Sequence, residues 1–110
     1  MSLYGDYILE HHGDGIVERE EGFATYRILN AGKSIYIVDI YTRPDFRKTS
    51  IAAEMADQIV EIGKKQGCNE LLGTVVPSAK RSTDSLKVLL AYGMKVKSSS
   101  DNLIVFNKEI

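Results

Sequence analysis

The chain has 110 residues, and its Lys+Arg 14 against Asp+Glu 15 leave a formal net charge of −1. That balance excludes a globally basic nucleic-acid binder and an acidic solvating tail. Hydrophobic residues at 44 % and charged residues at 26 % are those of an ordinary folded domain, and the length points to a single domain over residues 1–110. Cys68 is the one cysteine, so neither an intramolecular disulfide nor a cysteine-based metal site is expected; a reducing, cytoplasmic compartment is. The first residues carry no basic segment followed by an apolar run, as a signal peptide would. No stretch approaches the roughly 18 apolar residues of a membrane span, so no membrane partner is expected.

In chain order, Ser2 is a cap for a short helix with Leu3, Tyr7 and Ile8 on one side, broken by His11-His12-Gly13-Asp14-Gly15. Ile16 to Glu20 alternates loosely, Glu21-Gly22 turns, and Phe23 to Leu29 is rich in strand formers. After a turn at Asn30-Ala31-Gly32-Lys33, Ser34 to Thr42 is the strongest strand. Its near-continuous apolar character predicts a central position buried on both faces. The three runs form an antiparallel meander, closed by Pro44.

Ile51, Met55, Ile59 and Ile62 then recur at helical spacing as far as Lys65, with Gly67 as the stop. Leu71 to Val76 is a short strand, parallel to the one ending at Thr42 because a helix connects them. Ser82, Thr83 and Asp84 are candidate caps for a helix carrying Leu86, Leu89 and Leu90 and stopped at Gly93. Met94-Lys95-Val96 opens a last hairpin, Ser98 to Asn102 reads as loop, and Leu103 to Phe106 closes it. The order (α)βββαβαββ predicts an α/β domain of α+β character: a mixed, mostly antiparallel central sheet with helices packed on it.

Pro44 to Ala52 carries the chemistry. It joins a buried strand to the start of an amphipathic helix. A helix N-terminus exposes unpaired N–H groups and about half a unit of positive charge, which makes it an anion site that suits phosphate. Arg47 and Lys48 add charge, and Ser50 and Ala52 are small enough to let a phosphate approach. Arg47 and Lys48 read equally well as solvated loop charges ahead of a helix.

Asp39-Ile40-Tyr41-Thr42-Arg43-Pro44-Asp45-Phe46-Arg47-Lys48-Thr49-Ser50-Ile51-Ala52 resembles the acetyl-CoA signature of the GCN5-related N-acetyltransferases (GNAT). The proline, the aromatic, the arginine and the final small residue stand in register, and the order of elements matches from about Phe23 onward. The small size resembles the minimal members encoded by tailed bacteriophages, which would place the protein in a host cytoplasm. The resemblance implies an acyl-CoA N-acyltransferase fold with acetyl-CoA as co-substrate and no metal. It implies that the backbone of Arg47, Lys48, Thr49, Ser50, Ile51 and Ala52 cradles the CoA pyrophosphate. Backbone groups of Ile40, Tyr41 and Thr42 would pair with the pantetheine arm, in a strand that splays from Leu71–Val76. Asp39 matches a position where the family often has an acidic residue, and Tyr36 one where some members place a catalytic glutamate. Counting back from Gly93, Ser82 and Ser85 fall where the family has Asn and then Ala or Ser beside the cofactor. The signature's middle glycine is Ser50 here, whose hydroxyl offers a substitute bond, and the family's helix tyrosine is Leu89. Tyr92, one position before Gly93, is expected to face elsewhere. Strand alternation puts Asp39 on one face with Tyr41 and Ile37.

Other groups read structurally. His11-His12 with Asp14 make a solvated turn rather than a metal site. Cys68 reads as a structural thiol, and Tyr26, Tyr36 and Tyr41 as packing aromatics. Lys80, Arg81 and Lys87 form either a solvated basic face or a rim for the CoA 3′-phosphate. Glu18 to Glu21 is hairpin surface, or a lure for a cationic amine if it faces the cleft. The expected function is direct acetyl transfer to an amine of a small molecule or protein. The alternative is a catalytically weak CoA-binding or interaction module. An open cleft leaves room for a homodimer, through a covering copy or an exposed sheet edge.

Overall fold

Consecutive positive φ angles at Asn30 (56°), Ala31 (57°) and Gly32 (88°) reverse the chain in the first half. They join β2 (Gly22–Leu29) to β3 (Ser34–Thr42), and β2 also pairs antiparallel with β1 (Gly15–Arg19). The expected meander is therefore present. The computed structural model describes residues 2–47, 49–80 and 82–110, with Ser82–Ser85 described by backbone alone.

Ser2 caps α1 (Leu3–His12) by accepting the Gly5 amide at 2.9 Å, and Gly13 ends the helix at φ 69°. The face predicted from Leu3, Tyr7 and Ile8 is corrected. Gly5 and Ile8 are the buried residues, while Leu3 is 87 % exposed and Tyr7 points outward. A close approach decides this: a Cβ on Gly5 would stand 3.0 Å from the Ile16 side chain, so the helix lies on β1 along its Gly5–Ile8 side.

α2 (Ile51–Lys65) buries Met55, Ala56, Ile59, Val60 and Gly63 against the other face of the sheet. It leads to β4 (Glu70–Val75), parallel to β3. α3 (Ser82–Ala91) follows, then β5 (Lys95–Ser100) and β6 (Leu103–Glu109). The six strands lie in the order β1-β2-β3-β4-β6-β5, so β3 is central and β1 and β5 are edges. All pairings but β3–β4 are antiparallel. Phe106, Ile35, Met55, Ile59 and Leu71 are fully buried in one core cluster.

Two expectations fail locally. Ser98, Ser99 and Ser100 are strand rather than loop, paired with Val105, Ile104 and Leu103, and only Asp101-Asn102 turns. The strand is an exposed edge, where hydroxyls face water and cost the ladder nothing. β3 is buried as far as Ile37, but Asp39 and Tyr41 are exposed, so it is not covered on both faces along its length. Among the described residues, no helix is long and apolar enough to cross a membrane.

Candidate functional site

β3 and β4 pair only at Ser34↔Glu70, Ile35↔Leu71 and Tyr36↔Leu72. Beyond Tyr36, β3 stays with β2 as far as Thr42, while β4 stays with β6 as far as Val75. The sheet therefore forks. On the α2 side of the fork lies an apolar cavity of about 190 Å³, lined by Ile37 and Ile40 of β3, by Thr49, Ala52, Ala53 and Ala56, and by Leu89 and Tyr92. The alanines leave this space open. A larger polar hollow of about 480 Å³ at the opposite end of the sheet is lined by Asn30, Ser34 and Glu70. There the Glu70 carboxylate already accepts from Asn107 (2.9 Å), Lys97 (3.0 Å) and Ser34 (2.8 Å), bonds that hold it down to about 2. That end is a satisfied structural network.

The cavity runs up to the head of α2, since Thr49 and Ala52 line it. Among the described residues, the side chain at the cap position makes no capping hydrogen bond to this helix. Ser50, at the cap position, instead donates its hydroxyl to Glu54 at 2.6 Å, so the substitute bond expected of it is already in use. The Ile51 amide meets the Thr49 hydroxyl only at 3.4 Å. Among the described residues, this long bond is the one side-chain partner of the first-turn amides, which leaves them donor capacity and the helix its positive end. Glu54, held below the usual carboxylate range by Ser50 and Arg19, is tied to β1 through Arg19 at 2.9 Å. Arg47 lies back on the end of β3: its Nε donates to the Thr42 carbonyl at 3.0 Å, and its guanidinium sits 5.6 Å from the Tyr41 ring centroid. Among the described residues, its two Nη groups have no hydrogen-bond partner. Among the described residues, the loop after Arg43 makes no ladder pairing with the sheet.

A bulge sets which side chains face the cavity. Thr25 pairs with Asp39 and Tyr26 with Ile37, so Val38 is an extra residue in β3. Ile37 and Ile40 both line the cavity, while Tyr41 stacks on Phe23 on the opposite face. The alternation that groups Asp39 with Ile37 is corrected: Asp39 shares the Tyr41 face. Asp39 is exposed there. Tyr36 lies at the crotch of the fork, where its hydroxyl and that of Thr74 are 2.9 Å apart. The structure thus gathers Ile40, Thr49 and Ala52 at the cavity, with Ser50 and Ile51 at its head, and puts Tyr36, Asp39 and Tyr41 on the other face. Lys48 and the side chains of Ser82 and Ser85 lie outside the described residues, as does Arg81.

The remaining groups are plain. His11 and His12 close α1, exposed, with their rings beside Tyr7 at 4.5 and 6.0 Å. They are helical, not in a turn. Among the described residues no cluster of three His, Cys, Asp or Glu side chains is placed to hold a metal. Cys68 is buried, and burial pushes its thiol up. Glu21 pairs with Arg19 at 3.2 Å, and Glu18 accepts from Ser2 on α1. Lys80 and Lys87 are exposed.

The acetyltransferase (GNAT) family model matches residues 3–87. This chain belongs to the GNAT acetyltransferase family. A stretch of 58 residues is 33 % identical to the thialysine N-epsilon-acetyltransferase of Bos taurus, covering 53 % of this chain and 34 % of that protein. The match thus spans about a third of the relative's length. In fold, the chain is similar to a GNAT protein of Desulfovibrio desulfuricans, with a TM-score of 0.77 and 14 % identity over 94 % of this chain and 75 % of that one. It is also similar to a candidate streptothricin acetyltransferase of Bacillus anthracis, solved with acetyl coenzyme A bound. There the TM-score is 0.73 and the identity 13 %, over 88 % of this chain and 62 % of that one. The mixed six-stranded sheet with its helices is the GNAT acyl-CoA N-acyltransferase fold.

The expectation that Tyr92 faces elsewhere, away from Leu89, is corrected. Its ring lines the cavity and its hydroxyl donates to Asp57 of α2 at 2.6 Å. Burial, and then the Asp57 carboxylate, push this phenol far up, so it stays protonated. The signal was spacing: Tyr92 stands three residues after Leu89, and residues three apart share a helix face. Leu89 packs over Gly73, the first β4 residue beyond the ladder, where an added Cβ would meet its methyl at 3.3 Å. Ala53 and Ala56 also line the cavity, which their residue types do not reveal, because nothing in a sequence marks a space left empty.

Proposed function

We propose that this chain binds acetyl-CoA with its diphosphate at the head of α2 and its pantetheine arm in the cavity between α2, α3 and β3, and transfers the acetyl group directly to an amine. The observation that carries this is the continuity of the two features. The β3–β4 ladder stops at Tyr36↔Leu72, and the apolar space it opens is lined by Thr49 and Ala52, the residues that flank the uncapped helix start. A narrow amide-bearing chain ending in a diphosphate fits an apolar channel with N–H donors at its mouth. The unpaired side of β3 from Ile37 to Thr42 offers backbone groups to that chain's amides. In the transfer, the amine nitrogen forms a bond to the acetyl carbon as the C–S bond breaks, and the thiol takes up a proton. The acceptor enters from the face bearing Asp39 and Tyr36. There the exposed Asp39 carboxylate attracts a protonated amine and receives its proton. The amine belongs to a small molecule or a protein side chain.

A second reading, a CoA-binding module with weak or no catalysis, is favoured by one contact. Leu89, with no proton to give, covers Gly73 at the fork, and the protonated Tyr92 is engaged with Asp57. Titration calorimetry with acetyl-CoA and dephospho-CoA, followed by a thiol-release assay across an amine panel, separates the two. Binding of both with thiol release supports transfer; binding without release supports the module; no heat with either overturns both. Arg47→Glu is expected to weaken acetyl-CoA binding at least tenfold, and unchanged affinity removes the helix-head site.

A further inference from the structure

Four side chains from three elements and the loop form a continuous column on the face away from the cavity. Tyr4 of α1 meets the Phe23 ring edge-on, with centroids 5.3 Å apart and planes at 62°. Phe23 of β2 stacks on Tyr41 of β3 at 5.6 Å and 29°. The Arg47 guanidinium lies 5.6 Å from the Tyr41 centroid, within cation–π range. Cross-strand pairing of Phe23 with Tyr41 and the bulge at Val38 align the rings. Packing alone does not account for this arrangement, since Tyr4 and Tyr41 remain 43 % and 41 % exposed and neither belongs to the core. What the column touches at its far end is the loop that enters α2. Arg47 is held there twice by consecutive residues of β3, by the ring of Tyr41 and by the carbonyl of Thr42 at 3.0 Å.

We propose that Tyr41 is a positioning residue for acetyl-CoA binding: its ring, backed by Phe23 and Tyr4, fixes Arg47 on the end of β3, ahead of the head of α2. This rests on the reading that the head of α2 receives the diphosphate. A long cationic side chain on a loop samples many rotamers, and a loop without an anchor must be ordered when ligand binds. Stacking removes that freedom beforehand. α1 therefore contributes to a site on the opposite face of the sheet, through rings rather than through contact with the ligand.

The test is a double-mutant cycle read by acetyl-CoA affinity in calorimetry, with thermal melts to confirm folding. Tyr41→Leu is expected to weaken binding roughly threefold to tenfold. Tyr41→Phe, which keeps the ring, restores it to within about twofold. Phe23→Leu weakens it less than Tyr41→Leu. In an Arg47→Ala background, Tyr41→Leu has no further effect, because its action runs through Arg47. Should Leu unfold the chain, Tyr41→Met gives the same reading. Equal loss with and without Arg47, or no loss with Tyr41→Leu while Arg47→Ala does weaken binding, overturns the proposal. If Arg47→Ala leaves affinity unchanged, the helix-head reading fails instead.

Discussion

The two ends of the β3–β4 pair are built to opposite plans. At Ser34–Tyr36 the strands are laddered, Ile35 is fully buried, and the Glu70 carboxylate accepts bonds from β3, β5 and β6. From Ile37 and Gly73 onward the strands part, and among the described residues the helix that follows β3 has no capping bond from its cap-position side chain. One end satisfies its polar groups from within. The other leaves backbone donors and apolar surface for something from outside. Under the proposed function, the fold makes room for a ligand by giving up strand pairing at one end of a single strand pair.

Substitutions at the two ends should therefore separate stability from binding. The largest effect is expected at the closed end. Ile35→Ala removes a fully buried side chain that packs on Gly63, where even a Cβ would come within 2.8 Å of it. About 2–5 kcal/mol of stability should be lost in denaturant titration, with acetyl-CoA affinity unchanged where the variant is folded. At the open end, Ala53→Phe puts a ring into the cavity from an exposed position. Acetyl-CoA affinity should fall tenfold or more, about 1.4 kcal/mol or above, with the melting temperature little changed. Binding that survives Ala53→Phe would move the pantetheine elsewhere. The smallest effect concerns acid. Glu70 is held at about 2 against an ordinary 4.5, so the stability it contributes is present above about 4.5 and lost as the pH falls towards 2. Glu70→Gln should flatten this part of the stability–pH curve between those values, and an unchanged curve would show that the network adds little.

Much of this was legible beforehand because it is local. The 3.6-residue recurrence of Ile51, Met55, Ile59 and Ile62, the turn at Asn30-Ala31-Gly32 and the stops at Gly67 and Gly93 gave elements whose observed bounds are close to those expected. The parallel pairing of β3 and β4 followed from the helix between them. What was not legible depends on one residue or on tertiary context. Val38 looks like any strand valine, and only its lack of a partner in β2 turns Asp39 away from Ile37. Gly5 is an unremarkable helix glycine until Ile16 lies against it and turns Leu3 outward. Ser98–Ser100 carries a loop composition, yet an edge strand with water on one side accepts it. The head of α2 could be located from its residues, but the holding of Arg47 by Thr42 and Tyr41 needed the strand's end in three dimensions.

The brevity of the parallel ladder has a mechanical meaning. Three residue pairs form a spine between two covers, the β1–β3 meander and the β4–β6 leaf, each internally antiparallel. A molecule seated in the gap would touch both covers and clasp them, so amide hydrogens along the spine should exchange more slowly once it is bound.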